Sequence, residues 1–489
     1  MTPRYRHLID VSNLASGESI DGPSRILDLK GLKGIHPTSI HTAIKLEGGH
    51  TFNQPKGSFE LWFFPMEDLG ASFVADHMKM QNEFFDNYTF LSDFPVPRDY
   101  PQANFCFMWN RFNEFRAKFF KGTVYPSLEG FEPPQKAWVQ AVPFNYFQQF
   151  RWYQLGVTWD DEAKSAALYV NGVLCGRSDI FNEDFKRDLA GDTLYAGCPA
   201  LCHGEIAFYD EVLTGADFYD KYRAVAPDYD EAIEKELRHA FEGTDLEEFT
   251  FDPVEAGWSK QMDVDFQNPV EQIKEFYVQG HTASVKPTGH PEGLLIETPE
   301  LRYGSLEAWN SQVYIWSHKT FEGDIYVEFE WKAIKPNGLS LLMVHASGMT
   351  REDFMADYDK KTNGTMNTVH AENVRNYHWE FYREMNDVRN DVGTAFSRKN
   401  PFAYRIGFGS SPERFAINEW HKLQLVQRGG KLLGAIDGKI LLVIDDNSRT
   451  NTGGILNFGH IAIRCMVHSA VVYRNLKVYT DELPFTVCE

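Results

Sequence analysis

KSAALYVNGVLCGRS, residues 164–178, decides the fold class: two short runs rich in alternating apolar residues meet at Asn171-Gly172. That dipeptide tolerates the positive φ angles a type I′ turn needs at both central positions, so the segment reads as a β-hairpin. Ahead of it, WYQLGVTWD (152–160) has the pattern of a sandwich strand and ends in turn residues. The same device returns as EWHKLQLVQRGG (419–430) followed by KLLGAIDGKILLVID (431–445), with Asp437-Gly438 at the turn. A further strand closes each copy, in LYAGCPALCHGEIAFYDEVL (194–213) and in GHIAIRCMVHSAVVYRNLKVY (459–479). The pattern predicts an all-β chain of two sandwiches built on one plan.

Bulk properties agree and narrow the functions. A chain of 489 residues exceeds one ordinary core. Aromatic residues make up 15% and recur in short runs between Gly, Pro, Asn and Asp, as strands and turns require. No stretch reaches the roughly 20 apolar residues of a membrane span, so no membrane partner is expected. A formal net charge of -21 argues against nucleic acid, whose phosphates need a basic surface. The opening MTPRYRHLIDVSNL lacks the apolar core and cleavage site of an export signal, which favours the cytoplasm, or the periplasm if a leader has been removed. Six cysteines are too few and scattered for a disulfide scaffold, and the Cys198/Cys202 pair beside His203 lacks further ligands at metal spacing, so no metal centre is predicted. No Gly-rich phosphate loop, HExxH motif or Ser-His-Asp order is present, and no cofactor is expected. DDNSRTN (445–451) and TWDDEAK (158–164) leave room for a structural calcium, and both read equally as ordinary turns.

The order of strand, hairpin and closing strand resembles the concanavalin-like, laminin-G-like jelly roll over about 30–225 and again over about 263–480. The resemblance implies two tandem jelly-roll sandwiches joined by a helical linker: 1–225, a linker at 226–254, and 255–489. The linker helix is read from 217–249, where Ile233, Leu237, Ala240 and Phe241 recur at spacings of three and four. In the second half, VYIWSHKTFEGDIYVEFEWKAIKPNGLSLLMVHASGMTREDF (313–354), NTVHAENVRNYHWEFYRE (367–384) and FSRKNPFAYRIGFGSSPE (396–413) are similar to the YesU-like family of bacterial domains of unknown function. That family tends to be encoded beside enzymes degrading uronic-acid-containing polysaccharides. The resemblance implies a carbohydrate context and supplies no catalytic residues.

The candidate site therefore comes from residue chemistry. In NYHWEFYRE (376–384), strict alternation puts His378, Glu380 and Tyr382 on one face and Tyr377, Trp379, Phe381 and Arg383 on the other. Arg383, Arg389, Arg398, Lys399 and Arg405 concentrate positive charge in an acidic chain. Removing a proton alpha to a uronate carboxylate needs a base and a group that stabilises the enolate, and an Arg fork suits a planar carboxylate. Expected catalytic residues are His378 and Tyr382, with Tyr404 and His370 as further candidates. Arg383, Arg398 or Arg405 would hold the carboxylate, Arg383 only if a β-bulge returns it to the face of His378. Trp316 would stack on a sugar ring, whereas Trp331 belongs to the core. The expected partner is an acidic oligosaccharide, and the expected reaction a β-elimination, as a lyase or dehydratase, leaving an unsaturated uronate. The alternatives are a non-catalytic carbohydrate-binding protein and a glycoside hydrolase. Retaining hydrolysis would need two carboxylates about 5 to 5.5 Å apart, and Glu328 with Glu330 is the best pair available.

Overall fold

A computed structural model describes residues 5–481 apart from 11–19, 40–41, 48, 67–86, 94–105, 111–113, 119–137, 142–146, 148, 179–192, 199, 228, 232–247, 281–286, 302–305, 337, 358–373, 386–387, 390–393, 400–402, 410–414 and 447–453; for some strand residues only the backbone is described. The chain is all-β and divides into two compact units, with the described residues up to Glu231 in the first and those from Glu248 in the second.

Both predicted hairpins form for the predicted reason. Ser165–Val170 pairs with Val173–Ser178 across Asn171 and Gly172, whose φ angles are 51° and 79°. Lys431–Ile436 pairs with Lys439–Asp445 across Asp437 and Gly438, at 51° and 78°. Each hairpin sits at the edge of an eight-stranded antiparallel sheet. In the first unit the next strands inward are Tyr153–Asp160, Lys56–Pro65 and Leu201–Tyr209; in the second they are His421–Arg428, Ile325–Ala333 and Ala470–Thr480. The two halves thus share one strand order.

Against this sheet each unit packs another, seven-stranded in the first and nine-stranded in the second. The central order of the nine-stranded sheet is Phe276–Gln279, Val313–Ser317, Phe458–Cys465, Gly338–Gly348, Val374–Met385, Thr394–Lys399 and Ala403–Gly409. The second core lies where Ile325, Val327, Phe329 and Trp331 meet Trp379 and Phe381, all buried, with Phe381 5.7 Å from both Phe329 and Trp331. Such aromatic contacts add about 0.5–1.5 kcal/mol each beyond the area they bury.

Of the predicted linker helix, residues 232–247 lie outside the described residues. The helix that is described, Gly215–Val225, starts earlier and belongs to the first unit. Thr214 and Asp217 form its capping box, satisfying N–H groups that the first turn leaves open. Phe218 and Tyr222 are its buried residues, and Lys221 pairs with the buried Glu60 at 2.5 Å. Residues 248–254, counted with the linker above, are part of the second unit: Glu248 bridges to Lys439, and Phe249 and Phe251 pack on Tyr326. Among the described residues no helix is long and apolar enough to cross a membrane.

Candidate functional site

Directly paired residues on antiparallel strands share a sheet face, so register alone assembles two rows across the nine-stranded sheet. One runs Gln279, Tyr314, Arg464, Leu341, Glu380 and the other Tyr277, Trp316, Ala462, Met343, His378. Both rows face away from the core, because the alternating row Ile315, Ile463, Leu342, Trp379 is the one that turns inward, where Trp379 lies against Gly434 of the opposite sheet. An outward sheet face ordinarily meets water. Here it buries charge and amides: His378 is 2% exposed, Glu380 6%, Arg464 1%, and Gln279 and Gln312 0%.

Burying polar groups costs free energy unless they are hydrogen-bonded, and these are organised. Asn376 donates through Nδ2 to the Val374 carbonyl, which turns its Oδ1 to within 3.2 Å of His378 Nδ1. An amide oxygen only accepts, so this arrangement assigns the proton to Nδ1 and makes Nε2 the nitrogen that takes up a proton. Nε2 lies 3.8 Å from Glu380 Oε1. On the other bank, Arg464 donates from Nε (2.9 Å) and Nη2 to Gln312 Oε1, and its guanidinium carbon is 5.2 Å from the Tyr314 ring centre. Trp316 Nε1 donates to Gln279 Oε1 at 3.0 Å.

Among the described residues, the segment around Phe354 packs on this face. Phe354 stands edge-on to Trp316 at 5.3 Å. Its segment is pinned by Asp353, whose Oδ1 accepts from the Met355 N–H (2.9 Å) and lies 2.8 Å from His460 Nε2, while His460 Nδ1 donates to the Ser317 carbonyl at 2.8 Å. Next to it, a bulge at His345 holds that residue at φ 50°, a region that β-strand residues other than glycine seldom enter. Both His345 ring nitrogens lack a partner among the described residues, and burial, helped by Arg351, pushes the imidazole down to about 3.

Tyr382 does not join His378. Ser340 pairs with Tyr382 and Leu341 with Glu380, so Phe381 is the extra residue of a β-bulge, and alternation reverses past it. Tyr382 therefore faces inward, 4.7 Å from Trp331 and 5.8 Å from Phe415. The same bulge brings register position 383 to the face of His378 and Glu380, and register position 405 reaches that face through Ser397, whereas positions 398 and 404 fall in the row of Tyr377. The side chains of Arg383, Arg398, Tyr404 and Arg405, and the whole of His370, lie outside the described residues. Trp316 is on the outward face, but it is 0% exposed, stacked parallel on Tyr314 at 5.5 Å and covered by Phe354. It is buried between Tyr314 and Phe354 and is not an open stacking platform.

The proposed hydrolytic pair is elsewhere and is neutralised. Glu328 and Glu330 lie on the outer face of the other sheet, where Glu328 meets Lys422 (2.8 Å) and Lys477 (2.9 Å) and Glu330 meets Arg474. Burial pushes Glu328 up, but hydrogen bonds from Lys422, Lys477 and Tyr326 outweigh it and hold the carboxyl at about 2. A general acid needs the opposite shift. Cys202 and His203 are neighbours on one strand and so point to opposite faces; burial pushes the Cys202 thiol up to about 12 and His203 down to about 4. Asp160, in the calcium candidate 158–164, caps the N–H groups of its own turn, and Tyr377 donates to Asp446 in the candidate 445–451. Among the described residues no cluster of three or more His, Cys, Asp or Glu could hold a metal ion.

Sequence reasoning missed Arg464, Gln312 and Gln279. The first had a signal, since it is the only charge in the run Ile461–Cys465, where apolar residues otherwise fill both faces.

The chain is thus a protein of two antiparallel β-sandwiches, with a buried polar cluster on one outward sheet face. Residues 270–478 match the family model described as a domain of unknown function, DUF1961. No curated protein matches the chain. Among solved structures it is similar to a protein of unknown function with a galectin-like fold from Bacillus subtilis, at 18% identity over 46% of this chain and 98% of that one, with a TM-score of 0.39. It is also similar to a carbohydrate-binding module from Bacillus subtilis (11% identity, 42% and 96% covered, TM-score 0.28). A third is the kappa-carrageenase from Pseudoalteromonas carrageenovora in complex with an oligotetrasaccharide of kappa-carrageenan (11%, 46% and 95%, TM-score 0.31).

Proposed function

We propose that the outward face of the nine-stranded sheet is a carbohydrate-active site that performs β-elimination on a uronic-acid-containing oligosaccharide, as a lyase or a dehydratase. The observation behind this reading is the burial of His378 and Glu380 on a sheet face that would otherwise be solvated. His378 Nε2 removes the proton alpha to the uronate carboxylate, and the neighbouring Glu380 carboxylate favours the imidazolium that results. The electron pair of the broken C–H bond forms the ring double bond, the C–O bond beta to the carboxylate breaks, and the departing oxygen takes up a proton. Asn376 keeps the imidazole in the tautomer this step requires. Tyr382 has no part in it. The test is incubation of the full-length protein with uronate oligosaccharides while following the ultraviolet absorbance of the conjugated double bond. Appearance of that chromophore supports elimination; saturated products with a new reducing end would mean hydrolysis, and binding without any product would mean a carbohydrate-binding protein.

A further inference from the structure

We infer that His460 is an imidazolium whose charge latches the segment carrying Phe354 onto the outward face, and that the segment leaves Trp316 when His460 gives up a proton. The inference goes beyond the proposed reaction and does not need it. His460 is fully buried, with the Ser317 carbonyl 2.8 Å from Nδ1 and Asp353 Oδ1 2.8 Å from Nε2. A carbonyl only accepts, and Asp353 Oδ1 already accepts the Met355 N–H at 2.9 Å, so it faces His460 as a carboxylate oxygen. Both ring nitrogens therefore donate, which a neutral imidazole, with one N–H, cannot do. After loss of a proton the remaining N–H stays with Ser317, which is buried, because an unmet buried acceptor is costly. The Asp353 side chain is 45% exposed and can turn to water. The bare Nε2 and the carboxylate then repel, and Asp353 lets go of the Met355 N–H as well. Phe354, next in sequence, packs edge-on against His460 at 5.2 Å and Trp316 at 5.3 Å, so it moves with Asp353. Its helix, Phe354–Asp357, is a single turn and too short to hold its shape by itself. The other ionisable groups on the elements around His460 are engaged elsewhere or exposed. His345, on the paired strand Gly338–Gly348, stays neutral because burial pushes it down to about 3. Arg351 pairs with Glu322 at 2.6 Å, Arg375 donates to Ser347 Oγ at 3.2 Å, and Glu352 accepts from the Thr350 N–H and hydroxyl. Lys319 meets Gln261 Oε1 at 2.5 Å, and His318 is exposed.

The test takes the full-length protein from about pH 5 to about pH 9, a range in which ordinary carboxylates stay charged and imidazoles titrate. Nitrogen NMR of the histidine rings reads the charge on His460, whose signals are those missing from His460→Gln. Amide exchange at Met355, expressed as protection relative to an unstructured chain at the same pH, reads the latch. The indole N–H signal of Trp316 reads its contact with Phe354. At the acid end both His460 nitrogens should carry protons. As His460 titrates, Met355 protection should fall by about ten- to a hundredfold, the range for a hydrogen bond between charged groups, and the Trp316 signal should shift with the same midpoint. Asp353→Asn should abolish the step, since a carboxamide can donate to a neutral imidazole or accept from a charged one. That variant alters an exposed side chain, so its protection profile against wild type decides the matter if His460→Gln fails to fold. A His460 that is neutral at the acid end, or that stays charged across the range, overturns the inference. So does protection that holds while His460 titrates, a Trp316 signal that stays put while protection falls, or a step of equal size in Asp353→Asn.

Discussion

Single residues in this protein take their roles from how their neighbours use them up. Tyr382 has the chemistry of a general acid and, in the sequence, the right spacing from His378; one inserted residue, Phe381, turns it into the core against Trp331 and Phe415. Tyr382→Phe is therefore expected to leave product formation close to wild type, whereas Tyr382→Ala should cost about 3–5 kcal/mol of stability in a denaturant titration, as truncation of a buried aromatic does. A large loss of activity in the Phe variant at unchanged stability would return Tyr382 to the reaction. Glu328 shows the same lesson in electrostatics. Its carboxyl is held at about 2, below the ordinary 4.5, so it stabilises the fold at pH values above the ordinary carboxylate range. That contribution is lost as the pH falls from about 4.5 toward about 2. Thermal unfolding followed across this window should show Glu328→Gln losing less stability on acidification than wild type; equal acid slopes would mean that Lys422 and Lys477 do not stabilise the charged form.

At the scale of elements, what the sequence states locally was legible, and what depends on pairing was not. Asn171-Gly172 and Asp437-Gly438 specify their turns through backbone conformation alone, and the flanking alternation specifies which residues face inward. The bulges at Phe381 and His345 carry no such signature, because an extra residue in a strand is defined only against its partner strand. The row that joins Arg464 to Glu380 is likewise a property of three strands far apart in sequence, which is why the cluster of Arg side chains at 383–405 drew the reading instead. The segment that carries Phe354 is held in part by Asp353, which caps the Met355 N–H and meets His460. Asp353→Ala should speed amide hydrogen exchange at Met355 and its neighbours without changing exchange in the strand Val313–Ser317 beneath. Unchanged exchange at Met355 would show that the segment is held by other contacts.

For the whole molecule, one strand order occurs twice. The shared hairpin plan made the tandem architecture readable, since turns and alternation are local and survive repetition. The candidate site was legible only in part, through His378 and Glu380 on one strand, because its other members meet through register. This strongly anionic chain buries a guanidinium, an imidazole and a carboxylate on one outward sheet face, and that burial is what the proposed function rests on. The most direct test is the rate at which unsaturated uronate forms with wild type and with His378→Ala at matched protein concentration, with oligosaccharide binding measured alongside. The account predicts that wild type forms the conjugated product and that His378→Ala still binds the sugar while its rate falls by about 10²- to 10⁴-fold, the range a positioned general base supplies. Conjugated product formed by His378→Ala at close to the wild-type rate would contradict it.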